Sequence, residues 1–116
     1  MKSRDVIILK KIIQHSNEIK ETIIFFELDF EKFTNIHIAK NAIVLCILQI
    51  GELAVKLTDE FKLKYKRISW REIIAVRNKA VHAYESVDMK LLWEIALEDV
   101  PKLKDYCVEI LNEIDV

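Results

Sequence analysis

The segment RNKAVHAY, Arg77 to Tyr84, concentrates reactive side chains in eight residues. Arginine binds phosphate bidentately, and histidine exchanges protons near neutral pH. Asn78 follows the arginine and Tyr84 closes the segment. Together they are suited to cleaving a phosphodiester without metal. Histidine takes the proton of a ribose 2′-hydroxyl, a second acid protonates the leaving oxygen, and arginine neutralises charge growing on the phosphoryl oxygens. Tyr84 can stack on a base, bind phosphate or carry a modification. Each residue also has a plain reading. His82 can cap a helix C-terminus, Arg77 can pair with Glu72, Asp88 or an acid of the last helix, and Tyr84 can simply pack.

Helix geometry limits the site. Residues five apart diverge by about 140°, so Arg77 and His82 do not share a face, whereas Asn78 and His82, four apart, are neighbours. Either the helix ends near His82 and turns its side chain back, or two copies of the motif face each other across a symmetric interface. Elsewhere, Gly51 permits close approach of a neighbouring helix, and Glu52 can reach a polar cleft or pair with an arginine. His15 and His37 stand without companions and read as surface or packing residues.

The elements that must position the motif are helices. The chain has 116 residues, 52% hydrophobic, with one glycine and one proline. Such a composition favours helix over turn-rich sheet, and the size fits one domain over residues 1–116. A monomer of this mass exposes roughly 6,600 Å². Four or five helices are expected. The first spans 4–27, with Ile8, Ile12, Ile19 and Ile23 at helical spacing. A connector covers 28–34. Thr34 or Asn35 caps a second helix over 36–60. Its broad apolar face is Ile36, Ile43, Ile47, Ile50, Ala54 and Leu57; its polar face is Asn41, Gln49, Glu52, Lys56 and Asp59. After a basic connector, 61–68, Ser69 and Glu72 form a capping box for the motif helix, which buries Trp70, Ile73, Ile74 and Val81 in some combination. Ser86 or Asp88 caps a short helix with Leu91, Leu92 and Trp93. Asp99 and Pro101 open the last helix, which turns Val100, Leu103, Cys107, Ile110, Leu111 and Ile114 inward. Trp70 and Trp93 read as core anchors.

Charge is uneven. Residues 62–79 carry seven Lys/Arg and one acid, and residues 85–116 carry three Lys and nine acids. The basic block leads into the motif and is able to attract a polyanion; as a solvated connector it needs no ligand. Cys46 and Cys107 read as buried thiols of a reducing compartment. Three histidines and two scattered cysteines make no zinc pattern, so no metal or cofactor is expected. Polar residues interrupt the apolar runs below transmembrane length. A cytoplasmic protein without membrane contact is expected.

The chain resembles the HepT-like proteins of the HEPN superfamily. The family motif (Arg, four residues, His, one residue, Tyr) is complete here as Arg77, His82 and Tyr84. LQIGELAVKLTDEF (48–61), ISWREI (68–73) and VDMKLLWEIALEDVPKL (87–103) resemble the flanking family segments. The resemblance implies an all-α, four- to five-helix up-and-down bundle that forms a homodimer with its motifs near a shared cleft. It implies a metal-independent endoribonuclease toxin of a type VII-like toxin–antitoxin system, cleaving mRNA or tRNA. Arg77 and His82 would be catalytic; Asn78, able to orient the imidazole or hold the substrate, and Glu52 are the supporting candidates that the residues themselves suggest. The implied partner is a minimal nucleotidyltransferase antitoxin, which blocks the toxin by transferring AMP units to Tyr84. The alternative is a non-catalytic, nucleotide-binding regulatory subunit of a nucleotidyltransferase complex. Two departures concern packing. Lys66, Arg67 and Ile68 replace a stretch that often holds proline, and Leu53 stands where alanine is frequent.

Overall fold

The computed structural model describes residues 2–114, so the ends of the expected 1–116 domain, Met1, Asp115 and Val116, lie outside the described residues. The chain folds as α1 (Ser3–Phe25), α2 (Phe30–Asn35), α3 (His37–Val55), α4 (Asp59–Lys64), α5 (Trp70–Glu85), α6 (Met89–Glu94), a π-helical turn (Ile95–Asp99) and α7 (Val100–Ile114). The class is all-α, as expected. Helix α3 lies at the centre, packed on α1 and on α5, and α7 packs on α1. The bundle measures 43 × 26 × 20 Å and exposes 7176 Å², above the value expected from mass because an elongated body has more surface per volume.

The core follows the apolar periodicity. Ile8, Ile12 and Ile19 of α1, Ile43, Ile47, Ile50 and Ala54 of α3, and Val100, Leu103, Cys107 and Ile110 of α7 are buried. Ile23, Ile73 and Leu111 are half-buried against them, as are Ile74 and Val81 on α5. Trp70 is buried, and its indole Nε1 donates to the Tyr65 carbonyl at 2.7 Å. Trp93 is only half-buried, its ring centroid 4.9 Å from that of Phe33. Ile114 faces outward rather than inward. Both cysteines are buried and free, and burial pushes the Cys107 thiol up to about 12.

Several boundaries depart from the sequence reading. The 28–34 connector contains α2, whose first turn is capped by Asp29 accepting from the Lys32 N–H at 2.8 Å. Neither Thr34 nor Asn35 caps α3; Ile36 stands there without a side-chain cap. The expected 36–60 helix breaks after Val55. Thr58 starts α4 instead, its hydroxyl accepting from the Phe61 N–H at 3.2 Å. Buried Asp5 fixes that corner, accepting from the Thr58 N–H at 2.9 Å and its hydroxyl at 2.7 Å. A capping residue with a buried anchor outcompetes continuation of the helix. The basic connector is thereby shortened to the residues after α4.

Ser69 caps α5 as expected, accepting from the Glu72 N–H at 3.3 Å. Asp88, not Ser86, caps α6, accepting from Leu91 at 3.1 Å. Asp99 caps nothing. Helix α6 runs through the π turn into α7, and helical dihedrals at Ile95 and Val100 join them. The wider π turn precedes Pro101 and relieves the clash and lost hydrogen bond that proline causes inside an α-helix.

Helix α3 is long and apolar enough, by length and composition, to cross a membrane, contrary to the expectation from its polar interruptions. Half of that apolar window is buried inside this fold, which accounts for the apolarity as core packing.

The single glycine serves a close approach. A Cβ built on Gly51 would lie 2.6 Å from Arg77 Cβ and 3.4 Å from Arg77 Cα. Two helix ends that would favour glycine do without it. Glu27 (φ 51°) and Val87 (φ 60°) take the left-handed conformation after α1 and α5. The following amides reach back in the Schellman pattern, Leu28 to Ile23 and Asp88 to Ala83.

Candidate functional site

Helix α5 does not end at His82. It continues to Glu85, and both the amide and the hydroxyl of Ser86 donate to the His82 carbonyl at 2.9 Å. The alternative of a helix end turning His82 back toward Arg77 is therefore excluded. Arg77, Asn78 and His82 are all exposed. Five residues along a continuous helix separate Arg77 from His82 by about 7.5 Å of rise and about 140°.

Arg77 and Tyr84, seven apart, share the face turned toward α3. The Arg77 guanidinium forms an ion pair with Glu52, both side chains nearly half exposed. This is the pairing that the Gly51–Glu52 dipeptide suggested, and it replaces Glu72, Asp88 and the last helix as candidate partners. Close contact at Gly51 brings the two helix backbones together beside it. Water screens a pair this exposed, so its value lies in orienting the guanidinium rather than in stability.

At the other end of the face, Tyr84 Oη donates to Asn41 Oδ1 at 2.9 Å. The Lys40 ammonium sits 5.5 Å from the Tyr84 ring centroid, a cation–π arrangement, and lies 3.4 Å from His37 Nδ1. The sequence reading placed Asn41 on the polar face of its helix without linking it to Tyr84, and it did not single out Lys40. The signal was present. Asn41 and Glu52 are eleven apart and fall within about 20° of each other on α3, as Arg77 and Tyr84 do on α5. An antiparallel seam then matches both pairs.

Between these two polar contacts runs an open groove of about 260 Å³ lined by Asn41, Val44, Leu45, Leu48, Val81, Tyr84 and Glu85. Leu45 in this groove is 57% exposed. The site face is thus an apolar strip bracketed by Arg77–Glu52 and Tyr84–Asn41. His82 and Asn78 lie to one side of the strip, and among the described residues no hydrogen bond holds the His82 imidazole. The basic block is partly tied down elsewhere: Arg67 forms a bidentate ion pair with Glu109 and lies 4.4 Å from the Tyr106 ring centroid. That arginine holds the exposed Glu109 carboxyl below its usual range.

His15 was expected to stand alone, but the fold gives it companions. Its Nδ1 is 3.3 Å from Glu18 Oε1, and Cys46 of α3 completes a cluster with them. His37 is exposed and meets Lys40 as described.

Fold and site define a small all-α protein with an exposed Arg–His–Tyr surface on its third long helix. The chain belongs to the ribonuclease HepT-like family, which matches residues 9–110. It is 32% identical over 105 residues to "Putative RNase MJ1380" of Methanocaldococcus jannaschii, covering 90% of this chain and 94% of that protein. It is 36% identical over 78 residues to "Probable ribonuclease HepT" of Thermococcus cleftensis, covering 67% and 71%. "Putative RNase TTE0752" of Caldanaerobacter subterraneus is 33% identical over 86 residues, covering 74% and 77%. No solved structure gives a significant match.

Proposed function

We propose that the protein is a metal-independent endoribonuclease whose active cleft is completed by a second copy of the chain. The observation that carries this reading is the unbroken α5: it points Arg77 and His82 in different directions, so one copy cannot close both on one phosphate. A symmetric dimer using the α3–α5 face would cover the apolar strip around Leu45 and pool two arginines and two histidines. One His82 takes the 2′-hydroxyl proton, and the 2′-oxygen attacks phosphorus. His82 of the second copy protonates the departing 5′-oxygen, leaving a 2′,3′-cyclic phosphate and a free 5′-hydroxyl. Arg77 stabilises the charge on the phosphoryl oxygens. For this it must exchange Glu52 for substrate, which an exposed, screened pair permits. Asn78, one turn before His82, steadies the imidazole.

In this reading the protein is the toxin of a toxin–antitoxin pair acting on mRNA or tRNA in the cytoplasm, and Tyr84 is its off-switch. The Tyr84 hydroxyl is on the surface and held by one hydrogen bond. A nucleotidyltransferase partner adding AMP there places bulk and negative charge beside the cleft, where RNA phosphate must pass.

The test is direct. Unmodified protein should degrade RNA in EDTA, and Arg77→Ala and His82→Ala should abolish cleavage. Full activity in both variants rules out this site. Tight partner binding without cleavage by unmodified protein would favour the regulatory-subunit reading instead. Co-expression with a neighbouring nucleotidyltransferase should add AMP-sized increments to wild type but not to Tyr84→Phe.

A further inference from the structure

We propose that His15, Glu18 and Cys46 form a zinc-binding site that clips α1 to α3. One ligating atom from each of the three lies within 4.8 Å of the other two. His15 and Glu18 are one helical turn apart on α1 and face the same side, and Cys46 reaches them from α3. Nitrogen, carboxylate oxygen and thiolate sulfur are the donors zinc takes in proteins. A thiolate excludes magnesium and calcium, which prefer all-oxygen sites. Three protein ligands leave one position for water.

An independent observation points the same way. His15 Nδ1 and Glu18 Oε1 are shielded from water, yet neither has a hydrogen-bond partner. Buried polar atoms in native structures are nearly always paired, and a cation between them satisfies both. A bare His15–Glu18 ion pair at 3.3 Å would satisfy the same two atoms; the zinc reading differs in drawing the Cys46 sulfur into the same set of ligands. On binding, Zn²⁺ takes the sulfur lone pair, the thiol proton leaves to solvent, and the dication offsets the buried negative charge. His15 and Cys46 are far apart in the chain, which is why no zinc spacing is visible in the sequence.

The site lies on the α1 side of α3, whereas Glu52 and Asn41 reach toward α5, so it stands apart from the cleavage reading. Cobalt(II) is the probe, titrated into metal-free wild type. One equivalent should give a thiolate-to-cobalt charge-transfer band with the strong visible bands of a four-coordinate ion, and zinc should displace it. Cys46→Ala should lose the band, His15→Gln and Glu18→Gln should weaken binding at least tenfold, and Cys107→Ala should retain it. Zinc should also raise the Tm of wild type by several degrees while leaving Cys46→Ala, checked for native helicity, unchanged. Absence of the band in folded wild type, or its survival in Cys46→Ala, overturns the proposal.

Discussion

Helix α3 presents two unlike sides. Its inner side packs Ile43, Ile47, Ile50 and Ala54 into the core, with Ile47 and Ile50 beside Ile73 and Val76 of α5 and Val100 and Leu103 of α7. Toward α5 it carries polar contacts at both ends, Glu52 to Arg77 and Asn41 to Tyr84, around a strip left partly open to solvent. The first side sets stability; in the proposed function, the second holds the groups that act by being accessible. Removing a side chain from each should therefore have opposite consequences.

The largest separation is expected at the polar side. Arg77→Ala should lower cleavage by about 10²–10³-fold while shifting unfolding free energy by no more than about 0.5 kcal/mol, read from urea denaturation beside an RNA cleavage assay. Ile47→Ala should do the reverse. Truncating a fully buried isoleucine costs about 2–5 kcal/mol, yet cleavage per folded molecule should persist. If Ile47→Ala abolished cleavage at conditions where it is fully folded, the two sides would not be separable.

Gly51→Ala tests the point where the sides meet. Its new Cβ overlaps Arg77 Cβ, so α5 must shift. Overpacking of this kind costs about 1–3 kcal/mol, and here cleavage should fall with it because Arg77 moves. Stability lost without any change in cleavage would show that Gly51 packs the helices without positioning the arginine. Thr58→Val removes the α4 cap and a partner of buried Asp5, and a cost of about 1–2 kcal/mol with unaltered cleavage is expected. The smallest effect is a gain. Val87→Gly relieves a β-branched residue at φ 60°, and a stabilisation of about 1 kcal/mol in urea would sharpen the view that strain sits beside the motif helix.

Much of this was readable from residues alone. The all-α class followed from composition and from isoleucines recurring at helical spacing, because burying one helix face is the dominant drive and leaves a period in the sequence. Ser69 and Asp88 announced helix starts because capping is chemistry between residues three apart. Gly51 beside Glu52 signalled a close approach with a polar group at its edge. Legibility failed where competition was not local. The end of α3 depends on Asp5, fifty-three residues before Thr58. Pro101 looked like a first-turn residue, and only packing of a continuous α6–α7 helix around a π turn revealed otherwise. The expected freedom of α5 to end at His82 vanished because Ser86 and the Val87 turn carry the helix past it.

The sequence by itself determined the all-α class and the long amphipathic helices, the Arg77, His82 and Tyr84 inventory, and the angular divergence of Arg77 and His82, since these depend on helical period and side-chain chemistry. Only the tertiary structure decided that Arg77 meets Glu52, that Tyr84 meets Asn41, and that His15 has Glu18 and Cys46 beside it. The Arg77–Glu52, Tyr84–Asn41 and Cys46 contacts join residues on different helices, and their register is set by how whole apolar faces pack; only the His15–Glu18 pair, one turn apart on α1, follows from spacing along the chain.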